Sequence, residues 1–494
     1  MLYAACYNTF TMPKLKKRTK IVCTIGPACS NEKTLGELID AGMNIARLNF
    51  SHGTYPEHKV VMNRIRKLAA KRNLPIGILQ DLQGPKIRVG DIDKKGIELK
   101  SGQEAILTTA KRPAKGTIPV TYVNLHKDAR PGQKILMDDG IIDMVVAKVS
   151  GRNVYCKVGT GGLLLPHKGI NLPETDVSTS SLSDKDKKDA EFGVKNDVDF
   201  IALSFVRTAK DILDLRFLIK KYERQLKKKP ATPIRIIAKI EKREAVENID
   251  DIIGVADGIM VARGDLGIEI PAEDVPLIQK TLIEKARTAA KPVIVATQML
   301  DSMIRNPRPT RAEVSDVANA VIDHTDAIML SGETATGKYP VQAVATMTRI
   351  AERTEASKFD DVAVPKLQKY ETEEEAMSSV GTILARSTDA KIILVASLSG
   401  SAGRVVSRYR PELPILVSTN EERVYRQLNA SWGVVPFILP TCATIEELIE
   451  RSIAYLLQNK VVKKSDDIIV IAGEPVGVSG HINFVEIRRV GSIA

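Results

Sequence analysis

Short runs of β-branched and aliphatic residues alternate along the chain with longer stretches in which apolar residues recur at helical spacing. The stretches at helical spacing, such as Thr208–Lys221, contain good helix formers. The apolar runs predict eight strands: Ile21–Ile25, Asn44–Phe50, Pro75–Leu82, Asp199–Val206, Arg235–Glu241, Gly258–Asp265, Val293–Thr297 and Ala327–Leu330. Strand and helix units in series are typical of a closed parallel barrel, so we expect an α/β protein built on a (β/α)8 TIM barrel.

The pattern changes after the third predicted strand, where short alternating runs are separated by glycine, aspartate and proline. These runs predict six further strands: Gly96–Lys100, Ala105–Thr109, Thr117–Tyr122, Lys134–Met137, Ile141–Val149 and Asn153–Val158. An all-β insertion that leaves a barrel at the C-terminal end of a strand should lie over the barrel mouth. We therefore predict a lid that can exclude water from the site beneath it.

A third pattern follows the barrel and indicates a C-terminal open α/β domain. Its predicted elements are helices at Thr372–Ser387 and Ala402–Tyr409 and strands at Lys391–Ala396, Pro414–Ser418 and Ile468–Ala472. The chain is predicted to divide into an extension at 1–12, a barrel at 13–84 and 173–357, an all-β lid domain at 85–172 and a regulatory domain at 358–494.

Composition narrows the class of protein. Aromatic residues make up 4% of the chain, so the core must be built from Val, Ile, Leu and Ala, as in parallel sheets buried on both faces. The net charge of +12 comes from dispersed basic residues, and anionic small substrates account for it without nucleic acid. No long apolar run or signal-peptide pattern is present, and the five cysteines are scattered without a CxxC pair. We expect a cytoplasmic protein with reduced thiols, no membrane contact and no structural zinc.

Polar side chains cluster at the predicted C-terminal ends of the barrel strands, and these ends meet at one rim of a closed barrel. The cluster comprises Arg47, Asn49, Ser51, His52, Asp81, Lys239, Glu241, Arg263, Gly264, Asp265 and Thr297. Carboxylates, cations and hydroxyl groups at one rim suit hard divalent cations and phosphate.

Lys239 and Glu241 should act at one point, because side chains two residues apart lie on the same face of a strand. Glu241 and Asp265 could together bind one Mg²⁺ or Mn²⁺, while Lys239 and Arg47 neutralise a transferring phosphoryl group. Alternatively, Lys239 and Glu241 form a structural ion pair and Asp265 caps a helix. The glycines of Arg263–Gly267 would let an anion approach backbone amides.

Two loops have features of phosphate-binding turns. Gly332–Tyr339 nearly matches a Walker A loop, but Tyr339 stands in place of the Ser or Thr that would hold magnesium. We therefore interpret this stretch as the start of a helix. Ser397–Gly403 lies between a predicted strand and a predicted helix, where hydroxyls and free N–H groups can bind phosphate. A plain turn with a serine cap explains this second loop equally well.

After Pro13 the chain resembles the pyruvate kinase family in seven ordered motifs. They are KIVCTIGP at Lys20–Pro27, ARLNFSHG at Ala46–Gly53, DLQGPKIR at Asp81–Arg88, AKIE at Ala238–Glu241, VARGDLG at Val261–Gly267, ATQML at Ala296–Leu300 and LSGETA at Leu330–Ala335. The resemblance implies magnesium-dependent transfer of a phosphoryl group from phosphoenolpyruvate to ADP, giving pyruvate and ATP, by a homotetramer.

The resemblance also implies residue roles by motif match, with Lys239 stabilising the transferring phosphoryl group and the enolate. The matched substrate residues are Arg47, Lys239, Gly264, Asp265 and Thr297, and the matched Mg²⁺ ligands are Glu241 and Asp265. The matched nucleotide contacts are Asn49, His52, Arg88 and the lid residue Lys168. The matched K⁺ ligands are Asn49, Ser51, Asp81 and the carbonyl of Leu82.

Two departures from the family pattern change what it implies. Lys86 stands where potassium-dependent members have glutamate, and its ammonium group would supply the charge of K⁺, so we expect weak or absent K⁺ activation. Leu398 and Ser401 replace basic residues of relatives that respond to fructose bisphosphate, which leaves a sugar monophosphate or AMP as the phosphorylated effector. The residues matched to that effector are Ser397, Ser399, Gly400, Ser401 and Ala402.

Two other functions fit parts of the sequence. A magnesium-dependent lyase acting on an oxaloacetate-like acid would use the same carboxylates, but it leaves the lid and Lys168 without a role. A non-enzymatic basic binding protein would be indicated by the loss of Lys239, Glu241 or Asp265, and all three are present.

Overall fold

The computed structural model describes residues 17–226, 232–362, 370, 372–397, 399–473 and 482–491. The predicted extension at 1–12 and Leu398 of the effector loop therefore lie outside the described residues. Part of the predicted junction between the barrel and the C-terminal domain, residues 363–365, lies outside them as well. None of the helices in the described ranges has the length and apolar character of a membrane span.

Eight parallel strands close into a barrel in which strands that follow one another in the chain lie side by side. Barrel strands 1 to 8 are Lys20–Thr24, Ile45–Asn49, Gly77–Asp81, Phe200–Leu203, Arg235–Ile240, Gly258–Ala262, Val293–Ala296 and Ala327–Leu330. Pairing of Lys20 with Ala327 brings strand 1 against strand 8 and closes the ring. The barrel interior is filled mainly by aliphatic and small side chains, with Phe200 the aromatic ring among them. The predicted TIM barrel is confirmed.

Helices pack around the outside of the barrel. They are Glu32–Ala41, Tyr55–Arg72, Asp184–Lys195, Ala209–Arg224, Arg243–Glu247, Ile249–Val255, Arg263–Glu269, Val275–Thr288, Arg311–Ile322, Gly332–Ala335 and Pro340–Glu355, with short 3-10 turns at Asp301–Ile304 and Lys358–Asp360. Their starts follow from capping chemistry, as at Ser183, whose Oγ accepts the N–H of Asp186 at 3.1 Å. The Walker-like stretch forms the short helix Gly332–Ala335, where the buried carboxylate of Glu333 accepts the N–H of Leu300 at 3.0 Å.

Two barrel strands, the fourth and the sixth, end three residues earlier than predicted. The predicted strand Gly258–Asp265 is wrong beyond Ala262, because Arg263–Glu269 forms a helix with Asp265 in its first turn. The N–H of Gly264 donates to Thr297 Oγ1 at 2.8 Å, which takes this backbone out of the sheet. Strand 4 ends at Leu203 because Phe205 has a φ of 54°, outside the range of a strand.

The insertion between barrel strands 3 and 4 is all-β apart from the short helix Leu125–Asp128. One sheet contains Glu104–Thr108, Ile118–Pro119, Lys134–Met137, Ile142–Ser150, Asn153–Val158 and Ile170–Asn171, and Ile97–Leu99 pairs with Gly162–Leu164 in a second sheet. Two of these strands, Gly162–Leu164 and Ile170–Asn171, with 3 and 2 residues, were not predicted. Asn171 Nδ2 donates to Glu269 Oε1 of the barrel at 2.9 Å, so the insertion contacts the barrel.

The C-terminal domain is a five-stranded open sheet with helices packed on it, as predicted. Its strands in sheet order are Val434–Ile438, Ile415–Thr419, Ile393–Ala396, Asp467–Ala472 and Phe484–Arg489, and its helices are Glu373–Ser387, Ser401–Ser407, Glu422–Leu428 and Ile445–Gln458. The first four strands are parallel, and the edge strand Phe484–Arg489 is antiparallel to its neighbour. Neither Val434–Ile438 nor this edge strand was predicted; three of the six residues of Phe484–Arg489 are charged, so it contains no continuous apolar run.

Arginines of the C-terminal domain bind carboxylates at the base of the barrel, where the strands begin. Asp199, just before strand 4, accepts from Arg426 Nε at 2.6 Å. Asp326, just before strand 8, pairs with Arg410 Nη2 at 3.0 Å. The base of the barrel is therefore joined to the second domain through buried ion pairs, and the opposite rim is left to the insertion.

Asp199→Asn should destabilise the protein. The buried carboxylate holds Arg66, Arg426 and the N–H of Ile78, and a neutral amide leaves Arg66 without its carboxylate partner and Arg426 with Asp197 as its close one. Breaking a buried pair in this way costs about 3 kcal/mol, so we expect a lower midpoint in thermal unfolding. The control Asp184→Asn removes a carboxylate that is 93% exposed in its pair with Lys187 and should leave the midpoint unchanged. Equal midpoints for the two variants would contradict the prediction.

Candidate active site

A buried network at the C-terminal rim of the barrel surrounds Lys239. Its Nζ lies 2.8 Å from Glu241 Oε1 and 3.4 Å from Asp81 Oδ1, and donates to Ser204 Oγ at 2.7 Å. The lysine side chain is 10% exposed and each carboxylate is 1% exposed. Lys239 and Glu241 meet because they leave the end of strand 5 on one face, and Asp81 ends strand 3 nearby.

Mutual attraction favours the charged forms of Asp81 and Lys239. Burial would raise the pKa of Asp81, but the charges of Lys239 and Arg47 outweigh burial and lower that pKa. Burial would likewise lower the pKa of Lys239, but Asp81 and Glu241 outweigh it and raise that pKa. Arg47 Nη2 lies 2.6 Å from Asp81 Oδ2, and its Nη1 donates to Thr24 Oγ1 at 2.8 Å. The rim therefore presents two fixed cations at neutral pH.

Asp265 lies in the same pocket, but its surroundings disfavour the charged form of its carboxyl group. Burial, and then the charge of Glu241, raise its pKa to about 6 against the opposing charges of Lys239 and Lys86. Glu241 is held in place because its Oε2 accepts the N–H of Phe205 at 2.8 Å. Two carboxylates that repel each other in a buried pocket fit a hard divalent cation, whose charge would relieve the repulsion.

Metal ligands beyond these two carboxylates must come from elsewhere. In the described part of the chain, no group of three or more His, Cys, Asp or Glu side chains is placed to hold a metal ion. A divalent cation between Glu241 and Asp265 would complete its coordination with substrate oxygens or water, as an open catalytic site requires.

Two pockets meet at the rim. The inner pocket contains the Lys239 network together with Asn49, Ser51 and Leu82. The outer cleft lies between the barrel and the insertion. Lys86, Phe205 and Asp265 line both pockets, so a group bound in one can contact a group bound in the other.

Basic and acidic side chains both line the outer cleft, and the acidic ones are Asp138, Asp139, Glu244 and Asp265. Arg88 and Lys168 line it from the insertion, and Arg207 and Lys242 line it from the barrel. Lys168 Nζ lies 2.7 Å from Asp138 Oδ1, and this hydrogen bond raises the pKa of Lys168. A cleft with several cations on facing walls suits a polyanion such as the phosphate chain of a nucleotide.

Three predicted residues lie beside the pockets. His52 is exposed and lines neither pocket, and its N–H lies 3.3 Å from the carbonyl of Asn49. Gly264 precedes Asp265 in the chain, and its N–H donates to Thr297 Oγ1 at 2.8 Å. Thr297 has a φ of 73°, a costly conformation for a β-branched residue that is found mostly at functional sites.

Sequence reasoning missed Ser204 and Phe205, which follow strand 4. Ser204 Oγ accepts from Lys239 and donates to the carbonyl of Leu82 at 2.8 Å. The rule that strand ends carry the site would have found Ser204. Phe205 acts through its backbone N–H, which its side-chain type does not reveal.

The predicted effector loop bonds largely to itself. Ser401 N–H donates to Ser399 Oγ at 3.3 Å, and the two hydroxyl oxygens lie 3.0 Å apart. Gly400 has a φ of 74°, which glycine adopts without strain, and it leads into the helix Ser401–Ser407. Arg235 Nη2 and Arg404 Nη1 donate to the carbonyl of Ser399 at 3.0 and 3.4 Å.

The models of two domain families match this chain. The family described as "Pyruvate kinase, barrel domain" matches residues 16–344, and "Pyruvate kinase, alpha/beta domain" matches residues 375–488. The first match spans the barrel and its insertion, and the second spans the C-terminal open sheet.

Whole proteins are similar as well. The pyruvate kinase of Clostridium acetobutylicum is 42% identical over 478 residues, which cover 96% of this chain and 100% of the relative. The pyruvate kinase of Geobacillus stearothermophilus is 44% identical over 486 residues, covering 97% of this chain and 81% of the relative. The crystal structure of a pyruvate kinase from Cryptosporidium parvum has a TM-score of 0.88 and 37% identity, covering 96% of each chain.

Proposed function

The chain belongs to the pyruvate kinase family and is a phosphotransferase between phosphoenolpyruvate and ADP, and we propose that the network around Lys239 performs this transfer with a divalent cation. The observation that supports the proposal is the junction of two pockets. The inner pocket offers fixed cations to a small anionic substrate, and the outer cleft offers cations to a nucleotide. A phosphoryl group can move between them past Asp265 and Lys86.

Lys239 and Arg47 are proposed to bind the phosphoryl group of the substrate in the inner pocket. Removal of that group leaves negative charge on the enolate oxygen, and a preorganised cation stabilises such charge as it develops. Lys239 suits this role because Asp81 and Glu241 keep it protonated. Gly264 and Thr297, at the edge of the pocket, are proposed to seat the carboxylate end of the substrate.

Glu241 and Asp265 are proposed to hold Mg²⁺ or Mn²⁺, which when bound supplies positive charge to the phosphoryl oxygens. Glu241 is held by the N–H of Phe205, and Asp265 is held in the first turn of Arg263–Glu269. The carboxylate of Glu241 is therefore held in a fixed direction by the protein itself.

The nucleotide is proposed to bind in the outer cleft against Arg88 and Lys168, with Asn49 at its inner end. His52 is retained as a nucleotide contact from the motif match, although it lies at the surface beside the pockets. Lys168 is paired with Asp138 within the insertion, so its charge is directed by the insertion's own structure. We propose that closure of the insertion brings these cations onto the nucleotide.

Three further proposals concern the whole protein. The serine loop at Ser399 to Ser401 is proposed to bind a phosphorylated effector, since Arg235 and Arg404 add positive charge behind it. We propose a homotetramer from the family resemblance. We also propose a cytoplasmic location, because the four cysteines in the described ranges are free and buried.

Lys239→Met should lower kcat by about 100- to 1,000-fold, the cost of losing one preorganised charge at a reacting oxygen. The measurement is a coupled assay with phosphoenolpyruvate and ADP, with and without Mg²⁺, and with thermal unfolding recorded in parallel. Lys188→Met, at an exposed position, is the control and should keep the wild-type rate. Turnover of an oxaloacetate-like acid without ADP would instead favour a lyase, and a wild-type protein with no turnover would favour a binding protein.

Glu241→Gln should weaken Mn²⁺ binding by about tenfold or more, because it removes the charge of one of two carboxylate ligands. Mn²⁺ affinity can be measured by electron paramagnetic resonance without substrate. Glu247→Gln changes a carboxylate that is 58% exposed and paired with Arg243, and should leave Mn²⁺ affinity unchanged. Wild-type affinity in the Glu241 variant would rule out this carboxylate as a ligand.

Lys86 should make turnover independent of K⁺, because its ammonium group lies in the pocket that contains the matched K⁺ ligands Asn49, Ser51, Asp81 and Leu82. We expect similar rates in K⁺ and in tetramethylammonium at equal ionic strength. Lys86→Glu should create activation by K⁺, and Lys94→Glu at an exposed position of the insertion should not. Collapse of the wild-type rate without K⁺ would overturn the proposal.

A further inference from the structure

One buried carboxylate joins the insertion to the part of the barrel that carries the proposed metal ligands. Glu269 ends the helix Arg263–Glu269, and its side chain is 1% exposed. Its Oε1 accepts a hydrogen bond from Asn171 Nδ2 of the insertion at 2.9 Å and another from Lys242 Nζ at 2.6 Å. A single oxygen atom therefore connects three segments that are separate in the sequence.

Two of these segments lead directly to Glu241 and Asp265. Lys242 follows Glu241, just after the end of barrel strand 5. Asp265 lies four residues before Glu269 in one short helix, and this spacing places the two side chains on the same face. The position of Glu269 is therefore linked through the backbone to both carboxylates that are proposed to hold the divalent cation.

The third segment leads to the nucleotide side of the outer cleft. Asn171 belongs to the strand Ile170–Asn171, which pairs with Lys134–Met137 inside the insertion. Lys168, a proposed nucleotide contact, lies three residues earlier and is paired with Asp138 at 2.7 Å. Lys168 and Asn171 thus lie in one short segment, and the bond from Asn171 to Glu269 ties that segment to the barrel.

The two ends of the helix Arg263–Glu269 are held by different parts of the molecule. At its start, Arg263 Nη1 lies 2.7 Å from Asp316 Oδ1, and the N–H of Gly264 donates to Thr297 Oγ1 at 2.8 Å. At its end, Glu269 is bound by Lys242 and by the insertion. The first turn is therefore anchored to the barrel, whereas the last turn depends in part on where the insertion lies.

The surroundings of Glu269 are not those of a carboxylate placed for stability. Its Oε2 is buried and has no hydrogen-bond partner among the described residues. A second acidic group lies nearby, since burial and, to a smaller extent, the charge of Glu269 raise the pKa of Glu244 against a backbone N–H and the charges of Lys242 and Arg207. A buried carboxylate with one unpaired oxygen and a neighbouring acid lowers stability, and such arrangements are kept mainly at functional positions.

We propose that Glu269 is a positioning residue that couples the insertion to the divalent-cation site, an inference that rests on the function proposed above. When Asn171 holds Glu269, the helix keeps Asp265 oriented, so less ordering is left for cation binding to bring about. Coupling between two sites is reciprocal, so a bound cation must in turn strengthen the contact between Asn171 and Glu269. Cation binding and closure of the insertion would then favour each other.

The first measurement is Mn²⁺ affinity, determined by electron paramagnetic resonance without substrate or nucleotide. Asn171→Ala is the decisive variant, because Asn171 lies outside the lining of the inner pocket. We expect Asn171→Ala to bind Mn²⁺ about threefold to tenfold more weakly, the value of one hydrogen bond, and Glu269→Ala to lose at least as much. The double variant should lose little more than Glu269→Ala alone, because both substitutions remove the same bond.

Two matched controls use the same substitutions at positions that line neither pocket. They are Asn153→Ala in the insertion and Glu273→Ala at an exposed position after the helix, and both should bind Mn²⁺ as the wild type does. Thermal unfolding is recorded for every variant. Asn171 is half-buried, so Asn171→Ala carries the test if Glu269→Ala does not fold.

The second measurement is hydrogen exchange of the insertion, followed by mass spectrometry with and without Mn²⁺. Mn²⁺ should slow amide exchange in Ile170–Asn171 of the wild type, and this effect should be lost in Asn171→Ala and Glu269→Ala. Glu269→Gln should restore part of it, because its amide oxygen can still accept from Asn171. A purely structural role would alter exchange without making it depend on Mn²⁺.

Three outcomes would overturn the coupling. Wild-type Mn²⁺ affinity in Asn171→Ala, with exchange that Mn²⁺ slows as in the wild type, would remove it and leave the proposed function intact. Losses in the two single variants that add fully in the double variant would show that Asn171 and Glu269 act separately. A wild-type protein that binds no Mn²⁺ would overturn the proposed function and the coupling together.

Discussion

The position of one ammonium group between two buried carboxylates governs the rest of the active site. Lys239 contacts Glu241 and Asp81 at a place where none of the three is more than 10% exposed. Each of these charges would be unstable alone, since burial disfavours the charged form of every one. Lys239 and Asp81 stabilise each other's charged form, and Arg47 completes the balance on the far side of Asp81. The protein itself therefore holds both cations in place, and such preorganised charge is what electrostatic catalysis requires.

The same chemistry serves a different purpose at the other end of the barrel. Asp199 and Asp326 stand just before strands 4 and 8, and each is bound by an arginine of the C-terminal domain. At the rim, the carboxylate of Asp265 is buried near that of Glu241, and burial and the charge of Glu241 raise its pKa. The base of the barrel is therefore a joint between domains made by paired carboxylates, whereas two carboxylates at the rim repel each other.

Periodicity was sufficient to predict the barrel, because its strands are largely apolar runs of ordinary length, several of them buried on both faces. Periodicity failed where tertiary contacts determine the conformation of the backbone. The strand ending at Ala262 stops because Gly264 bonds across to Thr297, and strand 4 stops because Phe205 turns to bind Glu241. It also missed the short strands Gly162–Leu164 and Ile170–Asn171 of the insertion.

The site was predictable to the extent that it consists of side chains at strand ends. Lys239 and Glu241 could be placed together from their spacing alone, and the structure brings them within 2.8 Å. The contribution of Phe205 could not be predicted, because a backbone N–H is available at every non-proline residue and only the fold selects one. The cations of the outer cleft depend on how the insertion packs on the barrel, and no local pattern records that packing.

The junction between the two pockets explains how two anions can be bound side by side. A phosphorylated substrate in the inner pocket and a nucleotide in the outer cleft would repel each other strongly unless positive charge lay between them. Asp265 is the carboxylate that both pockets share, and with Glu241 it fits a divalent cation at that point. Lys86 lines both pockets as well, and its ammonium group is covalently attached to the protein. In the proposed transfer, the ammonium group of Lys86 in the shared wall would hold the two anions together, a task for which a monovalent ion would have to be bound from solution.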